Sequence, residues 1–347
     1  MPAERTVQIV GGGLAGLTLG IALRQMKIPV MIFEAGIYPR HRVCGEFICG
    51  RGLRTLARLG LRERLEKAGA VPAATAAFFT TSKAAAPRPM PASALCLSRY
   101  KFDASLAHEF QILGGELNCG HRWREEVFRE GIVRASGRRL KTEENGARWF
   151  GLKIHARNVA LAADLEMHVS PRGYVGMCRL SDGEVNLCGL FRRQPGEVLA
   201  APNAREWLRG LPESILHERL AGAGFDETSF CAVAGISLQP QRAVARAEIC
   251  LGDAITMIPP VTGNGMSMAI ESAELAVEPL AAWSRGEMSW TEARKRIAQD
   301  CDRQFSRRLR WANWLQRLLL APALQNPLLT LVSHGDWLWR MTFERTR

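Results

Sequence analysis

Short apolar runs punctuated by glycine dominate the start of the chain. Val7–Val10 suits a buried strand, residues 17–26 spread apolar positions around a helix, and residues 30–33 form a second apolar strand ending in Glu34. Downstream, residues 248–251 again read as a short strand, and residues 267–280 as a helix. Between these ends lie runs with a strand pattern, at residues 76–81, 95–97, 158–161, 165–169, 173–178 and 184–190. Asp182-Gly183 between the last two is a hairpin signal. Residues 105–113 read as a helix and Glu116–Cys119 as a strand. The order predicts an α/β protein with an antiparallel sheet inserted into a parallel one.

The tail has a different pattern. Leu309, Trp311, Trp314, Leu315, Leu318 and Leu319 recur at near-helical spacing, with Arg308, Arg310 and Arg317 elsewhere around the wheel. Pro322 interrupts this helix, and residues 328–332 begin another. The longest apolar stretch, residues 318–332, is broken by Pro322, Gln325, Asn326 and Pro327, so it cannot span a bilayer, which takes ~18–20 residues. Either an interfacial membrane helix or helices packing back on the rest of the chain would look like this.

Composition narrows the classes. With 347 residues, 47% hydrophobic and 23% charged, the chain is globular, which excludes disorder, collagen and coiled coil. Its net charge is +12, and residues 303–347 hold eight Arg against Asp336 and Glu344, half of that excess. The same stretch holds Trp311, Trp314, Trp337 and Trp339. No nucleic-acid motif accompanies the charge, and the tryptophans interleave with leucine instead of forming a stacking platform. Nine cysteines, an odd number, behind an N-terminus without signal-peptide layout predict a reduced, cytoplasmic protein. No two of the seven histidines lie at metal-ligand spacing, and no nucleophile elbow is present, so no metal is expected and the chemistry must come mostly from a cofactor.

The first strand runs into Gly11-Gly12-Gly13-Leu14-Ala15-Gly16. Gly11 permits the tight turn, Gly13 lets the backbone approach a pyrophosphate, and Gly16 lets the helix pack on the strand, while the helix N-terminus favours phosphate. Glu34 is placed to accept hydrogen bonds from a ribose, which disfavours a 2′-phosphate there and leaves FAD and NAD. Far downstream a strand ends in Gly252-Asp253, and a turn with Pro259-Pro260 and Gly263-Asn264-Gly265-Met266 opens a helix. Such an acid suits a ribityl hydroxyl, and such a helix N-terminus suits negative charge on a reduced isoalloxazine.

Together with residues 39–47 (Pro-Arg-His-Arg-Val-Cys-Gly-Glu-Phe) and 97–103 (Leu-Ser-Arg-Tyr-Lys-Phe-Asp), these motifs resemble the FAD-dependent oxidoreductases of the aromatic-hydroxylase (class A flavoprotein monooxygenase) and geranylgeranyl-reductase-like group, over nearly the whole chain to about residue 285. The resemblance implies a Rossmann-type FAD-binding domain of the glutathione-reductase-like family, interrupted by an antiparallel β-sheet substrate domain and followed by a helical tail. The expected boundaries are 1–72, 99–150 and 241–285 for FAD, 73–98 and 151–240 for substrate, and 286–347 for the tail. By the resemblance, Gly11, Gly13, Leu14, Ala15, Gly16, Glu34, Ala35 and Pro260 belong to the cofactor site. Arg42, Cys44, Gly45 and Arg99 would line the flavin, with Arg40 equally placed to reach a phosphate. Asp253 would hold the ribityl–pyrophosphate region, and Gly263, Asn264, Gly265 and Met266 would sit under the pyrimidine edge. Residues 135–139 stand where the group has a third motif, without its acid.

Cys44 and Cys49 have the C-x4-C spacing of flavin disulfide reductases, but a second nucleotide-binding motif is missing, so Cys44 is read as flavin-facing and Cys49 as core. The inserted sheet would roof the flavin and form the substrate wall, where His155, His168 and Tyr174 are the candidate catalytic residues. The implied activity is an NAD(P)H-driven monooxygenase that hydroxylates an apolar or phenolic secondary metabolite through a flavin hydroperoxide. The alternatives are a geranylgeranyl-reductase-like enzyme acting on an isoprenoid or lipid double bond, a flavin-dependent dehydrogenase, or a non-catalytic flavin-binding module. The Trp-x-Trp-x-Ile-Pro element of flavin halogenases is absent, and so is the Tyr-x-Trp-x-Phe-Pro element of geranylgeranyl reductases, where residues 173–177 read Gly-Tyr-Val-Gly-Met. The expected partners are a small apolar or aromatic substrate and, through residues 303–347, a membrane surface.

Overall fold

The computed structural model describes residues 4–125, 128–138, 148–193 and 201–346. In chain order the strands and helices begin β1 (Val7–Val10), α1 (Leu14–Gln25), β2 (Val30–Glu34), β3 (Phe47–Cys49), α2 (Arg51–Arg58), α3 (Arg62–Lys67), β4 (Val71–Phe79), β5 (Arg88–Cys96) and α4 (Arg99–Ile112). They continue with β6 (Glu116–Cys119), β7 (Ile132–Arg134), β8 (Arg148–Arg157), β9 (Leu165–Ser170), β10 (Gly173–Arg179), β11 (Val185–Arg193), α5 (Ile215–Arg219), β12 (Gly224–Ala234) and β13 (Ile249–Cys250). The chain closes with α6 (Gly265–Ser284), α7 (Trp290–Leu319), α8 (Pro322–His334) and α9 (Asp336–Arg345).

Among the described residues the strands form two sheets. One is parallel, in the order β13-β7-β1-β2-β6, and α1 returns the chain from β1 to β2 so that Val7 pairs with Val30 and Val10 with Phe33. That is the β-α-β unit the opening residues predict. The largest apolar core joins this sheet to α1, α4, α6 and α7 through Ile9, Leu19, Phe110, Ile270 and Ile297.

The second sheet runs β12-β8-β11-β10-β9-β4-β5-β3. It is antiparallel except where β4 meets β9 in parallel, which departs from the wholly antiparallel sheet expected. The β10–β11 hairpin turns at Asp182 and Gly183, both at positive φ.

Several elements differ from the sequence pattern. Residues 158–161, expected as a strand, are irregular: Asn158, at φ 59, ends β8, and Val159 and Leu161 fill core space from outside the ladder. The helix expected at 105–113 starts earlier, because the Ser98 hydroxyl accepts the Lys101 amide and caps α4. The helix read at 307–320 is the end of α7, which starts at a Ser289–Glu292 capping box. β12 was not anticipated, and α9 lies within the helical tail expected at 286–347 without having been read as a separate helix.

The tail packs back on the body. Arg308 of α7 makes two hydrogen bonds to Glu271 of α6, at 2.8 and 3.1 Å, with both side chains buried. Gln304 and the Ser267 hydroxyl donate to the same carboxylate. Removing one partner of a buried pair strands the other charge, so Arg308→Met should cost about 3–5 kcal/mol in urea denaturation, and adding Glu271→Met should recover most of it.

Candidate active site

The glycine turn meets three steric demands. Gly11 sits at φ +110, and a Cβ there would stand 2.4 Å from the Ala135 carbonyl oxygen. A Cβ on Gly16 would lie 2.0 Å from the Gly11 carbonyl oxygen, which is the close helix–strand approach that only glycine allows. At Gly13 a Cβ would meet nothing within 4 Å, because this residue faces a cavity. No side chain caps the first turn of α1, so its free N–H groups are available to a phosphate.

Next to the turn stands a charged cluster. The Glu34 carboxylate accepts the Gly12 and Gly36 amides, each at 2.8 Å, and pairs with Arg40 at 2.6 Å, with Arg42 at 3.6 Å. Burial alone would raise its pKa, but the Gly36 amide and Arg40 hold it below the usual carboxylate range. Three directions around a carboxylate with about four acceptor sites are thus taken, and Glu34 keeps an edge on the cavity. Arg99 grips Asp103 at 2.6 and 2.7 Å, and Arg42 approaches the same acid at 3.5 Å. Arg40, Arg42 and Arg99 all line the cavity.

Behind them lies a second network, one that sequence reasoning missed. Glu46 has no solvent exposure and sits at φ 59. Its Oε1 accepts the Arg99 amide at 2.8 Å and lies 3.6 Å from Lys153 Nζ, while Oε2 lies 2.7 Å from His155 Nε2. Lys153 Nζ donates to His41 Nδ1 at 3.0 Å. On the far side, His155 Nδ1 lies 3.6 Å from Glu184, whose side chain is 26% exposed. Burial, then the charge of Lys153, push the His41 imidazole down to about 4. The available signal was Lys153 itself, a lysine between Leu152 and Ile154 and two residues from His155 in the buried stretch of β8.

The cavity holds about 1160 Å³, above the range of about 300–1,000 Å³ usual for one small ligand. It runs from the glycine turn and the charged cluster to a chamber under the second sheet. Gly11, Gly13, Leu14, Ala15, Glu34, Ala35, Arg42, Cys44, Gly45, Arg99, Asp253, Pro260, Gly263, Gly265 and Met266 all border it. Gly16 and Asn264 do not: the first packs against β1, and the second is fully buried, its side-chain amide donating to the Thr346 carbonyl of the tail. Ala135, Ser136, Gly137 and Arg138 also border the cavity, although the third motif lacks its acid; Arg139 lies outside the described residues. Burial pushes the Asp253 carboxyl up, against the pull of Arg138 and Arg99.

Of the candidate catalytic residues, only Tyr174 borders the cavity, and its buried hydroxyl has no hydrogen-bond partner among the described residues. His155 and His168 are buried, and each bonds a carboxylate that does border it, Glu46 and Glu166 respectively. The rest of the chamber is mostly apolar: Phe78, Met167 and Met177 from the sheet face Leu315, Leu319, Leu328, Trp339 and Phe343 from the tail, with Thr80, Gln325, Thr342 and Thr346 as polar points among them. No disulfide joins any of the nine cysteines. Cys49 is buried against Cys96 and Cys178, and burial raises the Cys44 thiol, so neither suits disulfide exchange, which needs a thiolate. Among the described residues no cluster of His, Cys, Asp or Glu could hold a metal, and no helix is long and apolar enough to cross a membrane.

A parallel nucleotide-binding sheet, a roofing sheet and one cavity between them define the fold of the FAD-dependent oxidoreductases. Residues 4–165, just under half of the chain, match the family of FAD binding domains. The chain carries an FAD-binding domain, and FAD is its cofactor. The residues fit that group: only glycine suits the turn, and a Gly13 side chain would enter the space a pyrophosphate needs. Squalene epoxidase of Aspergillus fumigatus is 35% identical over 66 residues, 19% of this chain and 14% of that protein's length. In structure, p-nitrophenol 4-monooxygenase from Pseudomonas putida matches with a TM-score of 0.77 at 15% identity, covering 99% of this chain and 96% of that one. The flavin-dependent brominase Bmp2 matches with a TM-score of 0.71 at 17% identity and 98% of both chains.

Gly13→Val should fold normally yet weaken FAD binding at least about tenfold, about 1.4 kcal/mol, by fluorescence titration. Gly11→Val should fail to fold. An imidazole that ordinarily titrates near 6.5 but in the folded chain near 4 gives stability that is full above the higher value and is lost as pH falls toward the lower. His41→Asn should therefore lose less stability than the parent across that window in urea denaturation at stepped pH.

Proposed function

We propose that this protein is an FAD-dependent monooxygenase that draws electrons from NAD(P)H and hydroxylates an apolar or phenolic metabolite. The observation carrying this reading is the continuity of one cavity from the phosphate-binding glycine turn, past Tyr174, into a chamber walled by Phe, Met, Leu and Trp. Similarity to an epoxidase and to a nitrophenol monooxygenase supports the same class of reaction.

Bound FAD would supply hydride acceptance and oxygen activation. Gly11 to Ala15 would hold its pyrophosphate, Glu34 a ribose, Asp253 the ribityl chain, and Arg42, Cys44, Gly45 and Arg99 with Gly263 to Met266 the ring. This chain's own residues then do three things. The apolar chamber excludes water, which strengthens each polar contact inside it. The orphaned Tyr174 hydroxyl orients a polar group of the substrate, since a buried unpaired hydroxyl costs about 1–3 kcal/mol until something satisfies it. Glu46, hydrogen-bonded to His155, and Glu184, 3.6 Å beyond that ring, form a line of increasing exposure, from none through 3% to 26% of the side chain. The Glu46–His155 pair thus holds a proton at the cavity edge, with Glu184 as its nearest acid toward solvent.

The test compares turnover of a panel of alkyl phenols and polyenes with air and without it. Product should form only in air, with oxygen consumed in step with NAD(P)H. Equal turnover without oxygen would mean alkene reduction or dehydrogenation instead, and an absence of NAD(P)H oxidation with every compound would favour a binding module.

A further inference from the structure

We infer that the outer face of the C-terminal helices docks on an anionic membrane surface, so that an apolar substrate enters the cavity from the lipid. The last clause rests on the function proposed above; the docking stands without it. On α7, Arg303, Arg307, Arg310, Trp314 and Arg317 are all exposed. Their spacing of four, three, four and three residues places them on one stripe of the helix. Arg303 pairs with Asp300, but Arg307, Arg310 and Arg317 have no acidic partner among the described residues.

α9 extends the face. A groove of about 660 Å³ brings Arg51 and Arg307 together with Arg340, Arg345 and the 74%-exposed Trp337, against Glu344 as its carboxylate. Trp314 and Leu331 are also more than half exposed, at 53% and 55%. Exposed tryptophan and leucine among unpaired arginines match the two layers of a membrane interface, acyl chains below and anionic headgroups above. The same three helices turn Leu315, Leu319, Leu328, Trp339 and Phe343 into the cavity, so lipid and chamber are separated by one helix layer. A nucleic acid would use the arginines but leave the leucines without a role.

The experiment sediments the FAD-loaded full chain with vesicles of phosphatidylcholine alone or mixed with phosphatidylglycerol. Binding should require phosphatidylglycerol and weaken with salt. Arg307→Gln/Arg310→Gln/Arg317→Gln should lower partitioning about 100-fold, close to fivefold for each arginine removed near an anionic surface. Trp314→Ala/Trp337→Ala should lower it without changing the salt dependence. A control with the same charge change elsewhere, Lys27→Gln/Arg62→Gln/Lys67→Gln, should bind like the parent. FAD content and melting temperature should be unchanged in all variants. Failure to pellet, equal pelleting of the triple arginine variant and control, tighter binding to duplex DNA than to vesicles at one salt concentration, or a dimer that the tryptophan variant dissolves would each overturn the inference. None of those results would touch the oxygen dependence of turnover.

Discussion

A carboxylate with no contact to water has to be matched inside the protein, and Glu46 is matched by groups from separate parts of the chain. The Arg99 amide opens α4, while Lys153 and His155 come from β8, next to the edge strand of the roofing sheet. The demand is strong because an unpaired buried charge costs several kcal/mol. It fixes the distance between the nucleotide-binding layer and the roof, and hence the height of the cavity. Residue 46 also adopts positive φ, an uncommon conformation for glutamate that is held only where the surroundings over-determine it. Cys44 and Gly45, just before it, border the cavity, so the same constraint aims the segment beside the flavin site.

A second buried pair works at the other end. Glu271 lies on α6, the helix opened by Gly263-Asn264-Gly265, and Arg308 holds α7 against it. Ser267, on the same helix, accepts the Gly52 amide while its hydroxyl donates to Glu271, so the helix under the flavin site is tied both to the segment after β3 and, through Glu271 and Arg308, to the tail. The two pairs divide the work. Glu46 spaces the roof, and Glu271 fixes the floor and one wall.

The nucleotide-binding half was readable because Gly11 and Gly16 answer local steric demands that no other residue meets, Gly13 leaves cavity space open, and the acid at Glu34 closes a short unit whose contacts are near in sequence. The remainder was less readable for physical reasons. Glu46 and His155 are 109 positions apart, and nothing within either segment announces the other. β12 carries Asp226, Glu227, Thr228 and Ser229 at a register shift on the edge of its sheet, so its alternation is broken where the strand bulges. Residues 158–161 have strand-like composition, but the backbone turn at Asn158 takes them out of the ladder. His155 and His168 look like pocket residues on an alternating strand, yet the carboxylates beside them reach the cavity. The tail was legible as amphipathic helix; its inner face as a cavity wall depends on where α6 holds it.

That wall is unevenly fastened. α7 is fixed by a buried ion pair, whereas the ties of α8 and α9 to the body include neutral hydrogen bonds: Thr80 to the Asn326 side chain, Gln325 to the carbonyls of Ser170 and Leu319, Trp339 to the Pro89 carbonyl, and Asn264 to Thr346. Each such hydrogen bond is worth about 0.5–1.5 kcal/mol net, and their apolar contacts face the chamber, where a bound hydrocarbon would replace them. The layers built around Glu46 and Glu271 cannot part without stranding a charge. Among the described residues, displacing α8 and α9 parts no buried ion pair, so the least costly route into the chamber runs beneath these two helices, on the side of the molecule that carries the exposed tryptophans and arginines.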